Sequence, residues 1–262
     1  MKYELNKIHN CDCIEGMSFI SDNYVDLTIT SPPYDNLRTY NNSSKWDFDI
    51  FKQVADALYR ITKKGGVLVW IVSDATIKGS ETGTSFKQAL YFKSIGFYLH
   101  DTMIYAKKNY VPLTHNRYEQ EFEYMFVFSK GRPRTFNPIK VECKYAGMNT
   151  WGKPTFHKTS SSGLTQISQV IVNDYKIKGN IFSYRTGKVK NKGIVFPAPF
   201  PEELVDDMIK SWSNEGDIVF DCFSGSGTTA AAAYRMSRNY LGFEIDKQYW
   251  ELGNAKVGGK HE

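Results

Sequence analysis

Short, continuous apolar runs alternate along this chain with segments whose apolar residues recur every three or four positions. The runs read as buried strands, and the spaced segments read as helices with one inward face. A short strand at Ile8 turns into a helix near Asp12. Residues 24–30 are apolar and β-branched, and they stop at Ser31-Pro32-Pro33-Tyr34, where prolines cannot donate to a ladder. The stretch 35–45 is polar and shows no apolar period. Asp47 or Asp49 then caps a helix with Phe51, Val54, Leu58 and Ile61 on one side, Lys63-Lys64 in its last turn, and Gly65-Gly66 ending it. Residues 67–72 are apolar throughout, as in a central parallel strand. Thr84 caps a helix with Phe86, Ala89, Leu90 and Phe92 inward, and strands follow at 103–106 and 124–128.

Between residues 131 and 195 these periods fade. There Gly, Ser, Thr, Asn and Lys dominate. Thirteen Lys and Arg stand against two acids between 130 and 195, a net +11, which leaves −6 for the rest of a chain whose total is +5. A basic segment on an acidic body implies a polyanionic partner. Tyr145, Trp151, Phe156, Tyr175, Phe182 and Tyr184 are interleaved there, which favours nucleic acid. The regular pattern resumes at Phe196-Pro197-Ala198-Pro199-Phe200-Pro201. Pro201 opens a helix with Leu204, Met208, Ile209 and Trp212 on one face. The expected organisation is a catalytic half at 1–130, an insert at 131–195 and a cofactor half at 196–262. Strands alternating with helices on both sides of the insert give an α/β domain, a mostly parallel sheet with helices on both faces.

The chemistry concentrates at two strand ends. Residues 216–220 read as a strand, followed by Asp221-Cys222-Phe223-Ser224-Gly225-Ser226-Gly227-Thr228-Thr229 and the start of a helix. Gly225-x-Gly227-x-x-Ala230 in that setting is the glycine fingerprint of a nucleotide-binding turn, with Gly227 expected where a ligand comes close. A second strand ends at Glu244, about 20 residues on, where such folds place an acceptor for ribose hydroxyls. The glycine turn lies near the end of the chain, so the sheet is circularly permuted relative to a dinucleotide dehydrogenase. The other strand end is Ser31-Pro32-Pro33-Tyr34. A hydroxyl, carbonyls freed from a ladder and an aromatic face there suit a planar, amino-bearing group such as an extruded base. The four cysteines have neither metal nor disulfide spacing, so no metal is expected. No apolar run approaches a membrane span and no leader is evident, so a cytoplasmic protein away from the membrane is expected.

Together these motifs resemble the S-adenosylmethionine-dependent DNA amino-methyltransferases. Asp/Asn/Ser-Pro-Pro-aromatic precedes Phe-x-Gly-x-Gly, as in the β-type order of that family. Asn10-Cys11-Asp12-Cys13 is similar to its Gly-Asp segment, with Cys11 in place of glycine. The segment 196–201 is similar to its His-Pro-x-x-Phe-Pro, with Phe196 in place of histidine. The resemblance implies a circularly permuted Rossmann-like methyltransferase fold with a target-recognition insert. It implies a catalytic set of Ser31, Pro32, Pro33 and Tyr34. It implies S-adenosyl-L-methionine as cofactor: Phe223, Gly225 and Gly227 around the methionine part, Asp221 near the ammonium, Glu244 on the ribose, Asp12 on the adenine amine. Cys13, Phe200, Cys222, Ser224, Ser226 and Thr228 border the same site. The Ser form of the first motif is linked in the family to cytosine N4, and the Asp or Asn forms to adenine N6. No Pro-Cys pair is present for carbon-5 methylation. The expected activity is N4-cytosine methylation of double-stranded DNA, as a monomer or homodimer, in a restriction–modification system with a cognate restriction endonuclease. An N6-adenine enzyme, a methyltransferase of RNA or protein glutamine, and an inactive nucleic-acid-binding protein are the alternatives.

Overall fold

The computed structural model describes residues 3–33, 46–110, 116–149, 171–186 and 200–258, and the backbone of 155–159, 163–167, 189–191 and 194–196. Tyr34, the polar stretch 35–45, Trp151 and the prolines at 197 and 199 lie outside them. Eight strands form the main sheet: β1 Lys7–Asn10, β2 Val25–Thr30, β3 Thr62–Val72, β4 Tyr98–Lys107, β5 Phe122–Ser129, β6 Ile181–Tyr184, β7 Ile218–Asp221 and β8 Asn239–Glu244. Their spatial order is β1-β8-β7-β2-β3-β5-β4-β6. Every neighbouring pair is parallel except those made by β5, which is antiparallel to both β3 and β4. Among the described residues six helices accompany the sheet: α1 Cys13–Ser18, α2 Phe48–Ile61, α3 Thr84–Ser94, α4 Glu202–Trp212, α5 Thr228–Arg235 and α6 Lys247–Gly258.

The period of two in the strands divides their side chains between two layers. Leu68, Trp70 and Val72 of β3 join one apolar cluster with Met17 of α1, Phe51 and Leu58 of α2 and Phe92 of α3. The intervening Val67, Val69 and Ile71 are equally buried, and α4 packs on β2 while α5 packs on β7 and β8. The amphipathic α2 matches its expected face: Phe51, Val54, Leu58 and Ile61 are fully buried. Each such side chain contributes about 1.5–3 kcal/mol of transfer free energy.

Local details differ from the pattern in informative ways. Helix α2 stops at Ile61, and Lys63 to Gly66 belong to β3, where the ladder to β2 shifts register. Gly65 takes φ +82 there, so the glycine pair serves a bulge rather than a helix end. The carbonyls at the end of α2 are met by Lys130, whose Nζ donates to Tyr59 O at 2.8 Å and Thr62 O at 3.0 Å. Helix α3 has Gly83, not Thr84, at its N-cap position, and the distant Asp74 carboxylate accepts the Ser85 N–H at 2.8 Å. Its buried face is Ser85, Gln88, Ala89 and Phe92, while Phe86 and Leu90 point outward. Gln88 is drawn in because it accepts from Trp70 Nε1 at 2.9 Å.

The chain divides into two compact units, 1–137 with 180–262, and 138–179. The second unit is narrower than the expected insert, 131–195. Pairing is the reason: β6, inside the expected insert, is a strand of the main sheet against β4. Among its described residues, unit 138–179 contains short antiparallel pairs, Lys140–Glu142 with Tyr175–Ile177 and Thr155–Thr159 with Gly163–Ile167. It carries six lysines against two acids. Among the described residues no helix is long and apolar enough to cross a membrane.

Candidate active site

β2 and β7 are parallel neighbours, with Leu27 opposite Val219 and Thr28 opposite Phe220. From this pair the chain winds outward in both directions, through α2 to β3 and through α5 to β8. Ligands of doubly wound sheets sit at such a switch point, beyond the carboxyl ends of the strands. There β2 runs from Thr30 into Ser31-Pro32-Pro33, and β7 runs from Asp221 into the glycine loop. Side chains tie the two exits together. Thr30 Oγ1 donates to Asp221 Oδ1 at 2.7 Å, and the Phe223 N–H donates to the same oxygen at 3.0 Å. Burial raises the Asp221 pKa from 3.8 to about 6, against the lowering effect of these hydrogen bonds.

A cleft opens beside the loop. Ile14, Trp46, Ile50, Phe223, Phe243 and Ile245 give it apolar walls, and Asp12 and Glu244 bring two carboxylates. Cys11, Cys13, Pro33 and Cys222 complete the lining. Trp46 meets the Phe223 ring edge-on, with centroids 5.4 Å apart. Glu244 braces the loop: Oε2 accepts the Gly225 N–H at 2.7 Å and Oε1 accepts the Asp246 N–H at 2.9 Å. Burial raises its pKa, opposed by those two bonds. Asp12 caps α1, accepting from Ile14 N at 2.8 Å and Glu15 N at 3.1 Å.

A family model described as DNA methylase matches residues 25–255. The chain belongs to this DNA methylase family. It is 48% identical over 243 residues to the orphan methyltransferase M.BamHII of Bacillus amyloliquefaciens, covering 91% of this chain and 90% of that protein. It is 26% identical to the type II methyltransferase M.BglII of Bacillus subtilis over 99% of this chain and 71% of that one. In fold it is similar to the PvuII DNA methyltransferase (cytosine-N4-specific), with TM-score 0.71 at 20% identity over 97% of this chain and 86% of that one. The M1.HpyAVI–SAM complex is similar too, with TM-score 0.63 at 21% identity over 97% and 99%.

In this methylase the residues singled out in the sequence take several distinct places. Asp12, Cys13, Pro33, Cys222, Phe223 and Glu244 line one cleft. Asp221, Ser224, Ser226 and Thr228 are buried beneath it. Ser224 Oγ donates to Asp221 O at 3.0 Å, and Thr228 Oγ1 accepts from Lys256 Nζ at 3.2 Å. Phe200 is half-buried before α4 and is not part of the lining. Ser31 is half-buried and Pro32 buried at the end of β2, and Tyr34 lies outside the described residues. Gly227 has a packing requirement of its own. At φ +76, a Cβ there would lie 2.7 Å from Gly253 Cα and O, so α6 packs against the position a side chain would take. Trp46, Ile50, Ile14, Phe243 and Ile245 were not legible as site residues. Phe243 and Ile14 adjoin motif positions, but nothing local marks Trp46, which reaches Phe223 only through the tertiary fold.

Proposed function

We propose that this chain methylates the exocyclic N4 amine of cytosine in double-stranded DNA, with S-adenosylmethionine as donor. The observation that carries this reading is the convergence of Thr30-Ser31-Pro32-Pro33 and Asp221 with the glycine loop at one switch point, beside one cleft. The cleft fits an adenosine-bearing cofactor. Its apolar walls suit a flat heterocycle, and the Asp12 and Glu244 carboxylates are acceptors for an amine and for hydroxyls. Each Glu244 oxygen takes one backbone N–H and keeps lone-pair capacity for a ligand donor. Phe223 and Trp46 would flank the ligand, and the Gly225–Gly227 backbone would border its methionine part.

When bound, the cofactor supplies an electrophilic methyl on a sulfonium. The chain's task is to make a poor nucleophile competent. The lone pair of an exocyclic amine is delocalised into its ring. The Ser31 hydroxyl and the Pro32 carbonyl would accept its two protons as hydrogen bonds, which favours tetrahedral nitrogen. Rigid prolines hold those acceptors still, and positioning supplies much of the rate. Tyr34 would stack on the extruded base. The basic unit 138–179 exposes Tyr145 and Tyr175 and would contact DNA, with phosphate contacts from its lysines. The names of the type II relatives favour a restriction–modification setting, while the relative at 48% identity is named an orphan methyltransferase, which favours a free-standing enzyme.

Mass spectrometry of nucleosides from DNA treated with the purified chain and S-adenosylmethionine tests the assignment. N4-methylcytosine is the expected product. N6-methyladenine would transfer the reading to the other amine of the family. DNA binding with no measurable affinity for S-adenosylmethionine would sink it in favour of an inactive binder.

A further inference from the structure

Thr30 stands one residue before the amine-binding turn and has no part in the roles assigned above. It is fully buried, as is its partner Asp221. Its hydroxyl hydrogen goes to Asp221 Oδ1 at 2.7 Å, and that oxygen also holds the Phe223 N–H at 3.0 Å. Its Oγ1 lies 3.6 Å from Cys222 Sγ. A hydroxyl has one hydrogen, so the thiol is the donor in that contact. Burial raises the Cys222 pKa well above the ordinary thiol value, which keeps that hydrogen in place. The chain of contacts is therefore continuous from Cys222 through Thr30 and Asp221 to Phe223. It crosses from the last residue of β2 to the first residues of the glycine loop. Ladder pairing between β2 and β7 stops at Thr28 and Phe220, before either loop begins. Beyond those residues the β2–β7 ladder does not join the two exits directly.

We propose that Thr30 is a positioning residue: its hydroxyl, through Asp221, sets the separation between the Ser31-Pro32 turn and the cofactor loop. This rests on the methyltransferase reading above. A displacement in line is steep in separation, so loosening the clasp should lower turnover far more than it weakens either ligand.

The test compares Thr30→Val, Thr30→Ser and the parent chain, measuring kcat for DNA methylation and the Kd for S-adenosylmethionine by calorimetry. For valine, kcat should fall about 10- to 100-fold with Kd moved less than about 3-fold. Serine keeps the hydroxyl and should stay within about 3-fold of the parent in both. Equal losses in the two variants, or a valine variant with parental kcat, would overturn the proposal. If the valine variant does not fold, Thr30→Ala takes its place, since it removes the same hydroxyl without placing a second methyl in the buried site. The same fall in kcat with Kd moved less than about 3-fold is expected there. An alanine variant with parental kcat overturns the clasp. A parent chain that binds no S-adenosylmethionine would instead overturn the underlying reading.

Discussion

Replacing Gly227 by alanine separates two demands on the glycine loop. Gly227 sits at φ +76, in the left-handed region, and its missing side chain leaves room for the backbone of Gly253 in α6. The backbone conformation alone costs a non-glycine residue about 1–2 kcal/mol. The new Cβ would approach Gly253 Cα and O to 2.7 Å, backbone atoms that cannot swing aside. Such overpacking adds about 1–3 kcal/mol. The sum is about 2–5 kcal/mol, which for a chain of this size lowers the melting temperature by about 4–20 °C. Gly216 is the internal control: it has φ +79 with nothing within 4 Å of its Cβ direction. Gly216→Ala should carry only the backbone cost, about 1–2 kcal/mol or about 2–8 °C. Thermal melts of both variants, with and without S-adenosylmethionine, read the difference directly. Gly227→Ala should melt below Gly216→Ala and should also weaken cofactor binding, because the loop must move away from α6. Two variants melting within about 2 °C of each other would refute the packing of the loop on α6.

Three further outcomes are expected. Burial holds the Asp221 pKa near about 6 against 3.8 unfolded, so the folded state binds this proton more tightly. Its contribution to stability therefore falls as pH rises from about 4 to about 6, by about 3 kcal/mol in all, and is level above that. The melting temperature of Asp221→Asn should gain on that of the parent across this window, and a difference that does not vary with pH would exclude the burial effect. Glu244→Ala removes the acceptor of the Gly225 and Asp246 N–H groups and should weaken S-adenosylmethionine binding at least tenfold, about 1.5–3 kcal/mol, by calorimetry. Unchanged affinity would remove Glu244 from the site. Trp46→Phe should abolish most of the change in tryptophan emission on cofactor titration, since Trp46 lines the cleft against Phe223. A fully retained signal would place the responding tryptophan elsewhere.

The alternation of apolar runs and spaced helices determined the layers, the parallel core and the strand that ends at Ser31. Local spacing suffices there, because burying Leu68 and Trp70 on one side and Val67 and Val69 on the other needs no knowledge of distant partners. The glycine loop and Glu244 were equally legible, because one turn and its following strand are a local unit. Tertiary packing decided everything that depends on neighbours far along the chain. Phe86 and Leu90 had the right spacing for an inward face, yet the Trp70–Gln88 hydrogen bond and the Asp74 cap turn α3 the other way. Residues 181–184 looked like part of the insert until their pairing with β4 made them sheet. The packing of α6 against Gly227 has no signature in the glycine loop alone. The link between Thr30 and Asp221 spans 191 positions and has no signature in either segment alone. Periodicity records which faces are buried, but which residues meet across a buried face is set only when the strands take their order.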